Sequence, residues 1–486
     1  MIKRFLKDSL VYGVTGFFSR GISIILVPLY TRLLRPTEYG MVDILNVFGT
    51  VVGLTVALEI AQGIARYYPG TKDPDTRLAY SSSALWFAVG AYSLFCFGCM
   101  VGARGLSRAL LDSANHRDII FVAALSISVG GIFRFALGML RWDLRPSLYS
   151  AVSVTNAGVI VLAVLLFVLV LRMGVLGVFC ALLAGGVAGA GLSLYLGRAM
   201  YRLRFDWNRC RELLHFSLPL VPSSVGVFVA LYIDRIAIKE LMSLADLGVF
   251  GVGYRVASAV GFVMVGCQTA LVPLIFAYFE RPETRTELAR IFRYFVAAAL
   301  LMCLALTIFA HEILALFTTP AYYGAAKVIP LLAPAVLLSS MSIFAPGLSI
   351  EKRTATIAII SLSVAALNTV LNFTLVPVLG IRGAALSTLA SASLGFLTYV
   401  ILSQRLYYVP HRWSALAFAT IATIIAGILG SLFAFGVWWN TVLRLIEMIA
   451  ITLLFIRLGL ISRSDIVRGW HRLRLLVSYR PQSRIA

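Results

Sequence analysis

The chain has 486 residues, of which 60% are hydrophobic and only 13% are charged, and its mean hydropathy is +0.92. These values exclude an ordinary soluble protein, in which about a quarter of the residues are charged. The formal net charge of +21 would suggest a nucleic-acid partner in a soluble chain, but no nucleic-acid-binding motif interrupts the apolar runs. We attribute the excess to Lys and Arg collected on one side of a membrane. The composition therefore predicts an all-α polytopic membrane protein.

Apolar runs of about 20 residues recur along the whole chain and predict about fourteen transmembrane helices. In chain order these spans are 9–30, 42–65, 80–103, 118–140, 147–171, 174–197, 216–238, 246–277, 294–317, 326–350, 355–378, 382–403, 415–437 and 441–461. The long span 246–277 is expected to break near Pro273. Most basic residues outside the spans fall on the side of the two termini, which places both termini in the cytoplasm.

Three short matches predict an internal repeat. Segment 34–40 (LRPTEYG) matches 242–248, and segment 144–145 matches 352–353, both at an offset of 208 residues. Segment 174–177 matches 380–383 at an offset of 206 residues. Two parallel six-helix lobes follow, residues 1–205 and 206–410, because an even number of spans returns the chain to the same side. Two additional transmembrane helices (411–462) and a basic cytoplasmic tail (463–486) complete the predicted organisation.

Basic residues inside the spans are the first indication of function. They are Arg20, Arg134, Arg235, Arg255 and Arg457. Arg235 and Arg457 lie near span ends, where a long side chain can reach the interface. The other three lie deeper, at a cost of about 2.5–3.5 kcal/mol each on insertion scales. The deep acids (Glu59, Asp234 and Glu447) are fewer, so we expect a water-filled cavity with surplus positive charge.

Helical spacing places polar residues on the same faces as two of these arginines. In the first span they are Gly16, Ser19, Arg20 and Ser23, and in the eighth they are Gly251, Tyr254, Arg255 and Ser258. The alternative is small-residue helix packing with a few buried ion pairs. A cationic cavity implies an anionic substrate, and the guanidinium group suits phosphate. The candidate substrate-binding residues are Arg20, Ser23, Arg134, Tyr254, Arg255 and Ser258.

Two further assignments concern coupling and gating. Glu59 shares a polar row of the second span with Thr55, Gln62 and Arg66, and it is the candidate ion-coupling group, since burial would raise its pKa and a nearby arginine would lower it. Asp234 and Arg235 are a candidate gate or structural pair.

The enzyme motifs that we considered are incomplete or absent in this sequence. His311-Glu312 begins a HExxH zinc motif, but position 315 is Ala, and there is no Walker sequence. We therefore expect no catalytic residues, no metal and no cofactor.

Four segments carry a resemblance to a known family: 28–40 (PLYTRLLRPTEYG), 216–224 (FSLPLVPSS), 234–235 (DR) and 247–256 (LGVFGVGYRV). In these motifs and in span order, residues 1–405 resemble the bacterial O-antigen-type lipid-linked oligosaccharide flippases of the multidrug/oligosaccharidyl-lipid/polysaccharide (MOP) exporter superfamily. The resemblance implies two six-helix lobes around a central cavity that opens alternately to either side. It also implies a polyprenyl-diphosphate-linked oligosaccharide as cargo, cavity arginines on the diphosphate, coupling to a proton or sodium gradient, and the bacterial inner membrane as the location.

By position, Arg20 and Arg255 would face the cavity from opposite lobes. The sequence departs from strict symmetry, because Arg20, Arg235 and Arg255 have no basic counterpart at the repeat offset. The expected partners are the lipid-linked oligosaccharide, membrane lipids, and a polysaccharide polymerase or assembly proteins, with no nucleic acid.

Three alternatives stay open. A peptidoglycan lipid-precursor flippase would share the cationic cavity and the span number. A multidrug or cation exporter of the same superfamily would need an acidic cavity. A membrane glycosyltransferase or ligase would need acid and base residues in external loops, which here are short and carry few carboxylates.

Overall fold

The computed structural model describes residues 26–261, 264, 271, 275, 278–432 and 437–460, and all regular structure in this part of the chain is helical. The predicted site residues Arg20 and Ser23, the predicted break at Pro273 and the tail 463–486 lie outside the described residues.

The α-helices follow one another through the chain with short connections. They are α1 (Val27–Leu33), α2 (Pro36–Thr55), α3 (Ile60–Tyr67), α4 (Pro74–Val101), α5 (Ala103–Leu111), α6 (Arg117–Trp142), α7 (Pro146–Val164, continued as a π-helix over Leu165–Val170), α8 (Gly174–Leu196), α9 (Trp207–Ser217), α10 (Val221–Leu241), α11 (Leu244–Ser258), α12 (Pro282–Ile308), α13 (Ala310–Phe317), α14 (Ile329–Leu338), α15 (Gly347–Ile350), α16 (Thr354–Leu379), α17 (Ile381–Leu406), α18 (Trp413–Leu432) and α19 (Val437–Arg457). Short 3₁₀ segments occupy Arg198–Met200, Leu218–Leu220, Pro320–Lys327 and Met341–Phe344.

Many of these helices can cross a bilayer. Within the described ranges, nine helices are long and apolar enough, and the number rises to eleven if each of two bent helix pairs counts as one span. The chain is an all-helical multi-pass membrane protein, as predicted. The count of about fourteen spans stays a prediction, as do the lobe boundaries and the orientation of the termini.

The predicted span 42–65 is wrong as one continuous helix. α2 ends at Thr55, α3 begins at Ile60, and the two helices differ in direction by 47°. In the break, Leu58 and Glu59 have φ values of +49° and +53°. This left-handed region costs a non-glycine residue about 1–2 kcal/mol, so the surrounding contacts must compensate for it. The bend places Glu59 at the corner between the two helices.

The predicted span 326–350 is also wrong as a single helix. The 3₁₀ segment Pro320–Lys327 meets α14 at a bend of 54°, and after α14 the chain forms only short helical pieces up to Ile350. Pro334 lies inside α14 and Pro346 lies at the start of α15. Proline interrupts helical hydrogen bonding, which explains why this apolar stretch is divided.

The matched segments of the repeat share unusual backbone conformations. Leu144 and Lys352, which lie shortly before α7 and α16, have φ values of +57° and +54°. Gly174 and Gly380, at the starts of α8 and α17, have φ values of +57° and +61°. Positive φ values therefore recur at matched positions of the two copies, which supports an internal duplication.

The match between segments 34–40 and 242–248 brings its two copies into contact. A Cβ on Gly40 would lie 1.8 Å from the Leu244 carbonyl oxygen, and a Cβ on Gly248 would lie 2.0 Å from the Pro36 carbonyl oxygen. No side chain fits at either place, so only glycine lets α2 and α11 touch backbone to backbone. The contact is reciprocal, and it joins the N-terminal half of the chain to the C-terminal half.

α9 bridges the predicted boundary at residues 205–206. By sequence it opens the C-terminal half, but its Cys210 and Leu213 are fully buried in a hydrophobic cluster with Ile60, Ile64 and Tyr80 of the N-terminal half. The chain passes from one half to the other only after this helix, through the 3₁₀ turn at Leu218–Leu220.

Candidate functional site

A group of charged and aromatic side chains meets where α2, α10 and α11 pack together. We call it the Asp43 cluster, and its members are Asp43 of α2, Asp234 and Arg235 of α10, and Tyr254 and Arg255 of α11. Four of these five residues are among the predicted site residues. The cluster joins the two halves of the chain beside the Gly40–Gly248 contact.

Arg235 is the most extensively bonded member. Its Nε donates to Asp43 Oδ2 over 3.2 Å, and its Nη1 donates to Asp234 Oδ1 over 3.1 Å. The guanidinium carbon lies 4.2 Å from the centre of the Tyr254 ring. The residue is only 5% exposed, so the expectation that it reaches the membrane interface is wrong. Two carboxylates and an aromatic face make its burial tolerable.

Arg255 depends on Asp43 alone for a counter-charge. Its Nη2 lies 3.8 Å from Asp43 Oδ1, its side chain is 21% exposed, and its guanidinium lies 5.0 Å from the centre of the Tyr39 ring. No other carboxylate of the described residues is within 4.0 Å of it. Ser258 donates its hydroxyl to the Arg255 carbonyl oxygen over 2.7 Å, so in this state it bonds to the backbone.

The charges of the cluster balance. Two carboxylates face two guanidinium groups, and Asp43 is 6% exposed. The surplus positive charge predicted for the cavity is therefore absent from this group of side chains. Tyr254 and Arg255 lie in a neutral, mostly buried junction, which agrees with the alternative of buried ion pairs weighed from the sequence.

Asp43 is the member of the cluster that sequence reasoning missed. It lies at the start of the predicted second span, where a carboxylate is typical of a polar helix end. Its partners come from α10 and α11, far along the chain, and a Cβ on Gly251 would lie 3.1 Å from Asp43 Oδ2. The available signal was a single acid between apolar Val42 and Ile44, near the motif that carries the repeat.

A second polar group surrounds the break between α2 and α3, and we call it the Glu59 group: Glu59, Tyr92, Arg134 and Ser224. Glu59 Oε1 accepts a hydrogen bond from Ser224 Oγ over 2.6 Å, again between the two halves. Arg134 and Glu59 both interact electrostatically with Tyr92. Arg134 Nη2 would lie 2.9 Å from a Cβ on Gly53, so its guanidinium rests against the bare backbone of α2.

The structure keeps the two groups apart. Arg255 is paired at Asp43 and Arg134 is packed at Gly53, positions separated by about 15 Å along α2 at 1.5 Å per residue. Of the predicted residues, Tyr254, Arg255, Asp234 and Arg235 are brought together in the Asp43 cluster, whereas Arg134 and Glu59 make no direct contact with each other within 4.0 Å. Arg134 and Arg255 do not share one diphosphate-sized site in this conformation.

The part of the chain that the structure describes has no group of three or more His, Cys, Asp or Glu residues able to hold a metal ion. What the arrangement offers is two neutralised guanidinium groups between the halves, Arg235 and Arg255, and a third, Arg134, packed within the N-terminal half.

Comparison with protein families identifies the class. The family model described as polysaccharide biosynthesis protein matches residues 29–279, more than half of the chain. The chain therefore belongs to this family of polysaccharide biosynthesis proteins, in agreement with the resemblance seen in its sequence.

Two curated relatives match part of their length. Lsg locus protein 1 of Haemophilus influenzae is 22% identical over 277 residues, which cover 56% of this chain and 65% of that protein. The succinoglycan biosynthesis transport protein ExoT of Rhizobium meliloti is 25% identical over 258 residues, which cover 51% of this chain and 48% of that protein. The matched region thus spans less than two thirds of either relative.

Solved structures share the fold. The lipid II flippase MurJ in an inward closed conformation superposes with a TM-score of 0.73 at 12% identity, covering 94% of this chain and 100% of that chain. An inward-facing multidrug resistance MATE family transporter of the MOP superfamily gives a TM-score of 0.57 at 16% identity, covering 82% of this chain and 95% of that chain. At these identities the similarity concerns the architecture alone.

Proposed function

We propose that this protein translocates a polyprenyl-diphosphate-linked oligosaccharide across the bacterial inner membrane by alternating access between its two halves. The observation that carries the proposal is Arg134. It lies about 12 Å from the C-terminal end of α6, its side chain is exposed, and no carboxylate of the described residues is within 4.0 Å of its guanidinium. The side chain is packed onto α2 at Gly53.

An exposed guanidinium deep in a span costs free energy unless water or an anion compensates it. Arg134 can offer a diphosphate two parallel N–H donors, the geometry in which guanidinium groups bind phosphate best. The positive charge of this group would repel a cationic substrate, so an anionic cargo fits the site better than the cargo of a cation exporter. Arg20 and Ser23, predicted on the first span, are further candidates for binding the same cargo.

The contacts between the halves supply the two gates. At one end, the Asp43 cluster and the Gly40–Gly248 contact seal α2 against α10 and α11, and we assign this end to the periplasm from the distribution of basic residues. At the other, Glu59 and Ser224 join the halves by one hydrogen bond. A cargo phosphate that attracts Arg255 would compete with Asp43 and so favour opening of the seal.

Glu59 is the proposed ion-coupling residue. Glu59 and Arg134 both interact electrostatically with Tyr92, and Glu59 is hydrogen-bonded to Ser224 of the opposite half. A proton or sodium ion on its carboxylate would cancel a negative charge beside the proposed phosphate site and weaken the contact between the halves. Cargo binding and ion binding would then act on the same corner of α2 and α3.

The test is a proteoliposome assay for translocation of a diphosphate-linked lipid oligosaccharide. Arg134→Ala should lower the rate at least tenfold, because a hydrogen bond to a charged group contributes about 1.5–3 kcal/mol. Arg141→Ala, on the last turn of the same helix, is the matched control and should leave the rate unchanged. Equal rates for both variants would remove Arg134 from the site, and faster transport of a peptide-bearing lipid precursor would favour the peptidoglycan alternative.

A further inference from the structure

The connection between α8 and α9 takes no part in the proposed translocation, yet it is held in a defined way. We call residues 198–207 the pinned segment. Three consecutive, fully buried serines of α4, residues 81–83, bond to its backbone. Ser81 Oγ donates to the Met200 carbonyl oxygen, and the N–H groups of Arg202 and Asp206 donate to the hydroxyls of Ser82 and Ser83, each over 2.8 Å.

A side chain of α4 adds a fourth bond. The Trp86 indole N–H donates to the Arg202 carbonyl oxygen over 3.1 Å. Four polar backbone groups of the segment are thereby bonded to one helix. A fixed backbone has little conformational entropy left to lose when its side chains bind a partner, so the segment is a preorganised surface.

The side chains of this surface alternate between arginine and large apolar groups. Leu203 is 92% exposed, Phe205 48% and Trp207 59%, and the arginines at 202 and 204 are exposed as well. A leucine left almost wholly uncovered on a backbone held in place indicates that something apolar covers it.

The arginines have little internal compensation. The carboxylate nearest to Arg202 is Asp75, at 4.0 Å with both side chains largely exposed, an arrangement that contributes almost nothing. Asp206 uses its carboxylate at the start of α9, where its Oδ1 accepts from the N–H groups of Asn208 and Arg209 over 3.0 and 3.2 Å. The surface therefore presents positive charge and apolar area together.

We propose that the pinned segment binds anionic phospholipid headgroups of the leaflet in which it lies, with Arg202 and Arg204 on the phosphates and Leu203, Phe205 and Trp207 in the adjoining acyl region. The segment follows the end of the apolar helix α8 and precedes the mainly apolar stretch Trp207–Leu241, and we infer that it lies where headgroups meet the protein. Tryptophan and arginine are the side chains that favour this depth. An acidic protein surface would pair with the arginines but would leave the apolar side chains uncovered.

The test uses full-length protein in nanodiscs made with brominated phosphatidylglycerol or brominated phosphatidylcholine, since bromine quenches nearby tryptophan fluorescence. The Trp207 contribution is the difference between the wild type and Trp207→Phe. We expect stronger quenching by the anionic lipid. Since each arginine near an anionic surface contributes about 1 kcal/mol, the double variant Arg202→Gln/Arg204→Gln should weaken the preference roughly thirty-fold.

Two controls keep the result specific. Arg202→Lys/Arg204→Lys retains the charge and should retain most of the preference, and Arg353→Gln, an exposed arginine elsewhere, should not change it. Equal quenching by the two lipids, absence of Trp207 quenching, or a preference unaffected by the double Gln variant would overturn the proposal. The readout is independent of transport, so it stands or fails separately from the proposed function.

Discussion

Replacing Asp43 by asparagine should loosen the contact between the two halves of the protein. Asn keeps the shape of Asp43 but removes the charge that faces Arg235 at 3.2 Å and Arg255 at 3.8 Å. At an effective dielectric constant of about 20, these distances correspond to roughly 5 and 4 kcal/mol of attraction. Most of this offsets the cost of burying the ions, and removing one partner of a buried pair typically costs about 3–5 kcal/mol.

The lower end of that range applies here, because Arg235 keeps Asp234 whereas Arg255 is left alone. A loss of about 3 kcal/mol would increase the population in which α2 is separated from α11 by roughly a hundredfold. Hydrogen–deuterium exchange should therefore accelerate in peptides covering 36–46 and 244–254 while α6 to α8 remain protected. Asp75→Asn, which removes an exposed carboxylate, is the matched control. Exchange in Asp43→Asn equal to that of the wild type would refute the assigned role of the carboxylate.

Three further changes test other contacts through thermal unfolding. Gly40→Ala would place a methyl group 1.8 Å from the Leu244 carbonyl oxygen and should destabilise the protein by about 1–3 kcal/mol. The control Gly90→Ala has open space around the added methyl group and should not destabilise it. Equal unfolding midpoints for the two variants would contradict the close contact. Tyr322→Phe removes the hydroxyl that donates to the Leu34 carbonyl oxygen over 2.8 Å and should cost about 1–3 kcal/mol, so an unchanged midpoint would count against this link. Burial lowers the pKa of His411, in the connection between α17 and α18, to about 4. Its pKa in the unfolded chain is about 6.5, so the full stabilisation by the neutral imidazole is present above that pH. This stabilisation is lost as the pH falls from about 6.5 towards 4. The fall in midpoint over that interval should be smaller in His411→Gln, and an identical fall would be evidence against the assignment.

The sequence predicts features that depend on local chemistry. Spans follow from apolar length, and the repeat is visible because its glycines serve backbone needs that no other residue meets. Gly174 and Gly380 start helices with positive φ, and Gly40 and Gly248 touch the opposite copy.

Features that depend on docking of distant helices could not be predicted in this way. Asp43 is buried only because α10 and α11 bring two arginines to it, and the same docking turns Arg235 inward. The break at Leu58 and Glu59 uses left-handed backbone without glycine, so no residue type marks it. Net charge alone likewise could not show that Arg255 would be neutralised while Arg134 would not.

The most direct test of the account compares cargo lipids that differ only in the linkage between lipid and sugar. Translocation of a diphosphate-linked and a monophosphate-linked lipid bearing the same oligosaccharide is measured in proteoliposomes for the wild type and Arg134→Ala. The account predicts that the wild type prefers the diphosphate and that the variant loses this preference together with its rate. A wild type indifferent to the linkage, or a variant that keeps the preference, would contradict the claim that Arg134 binds the diphosphate.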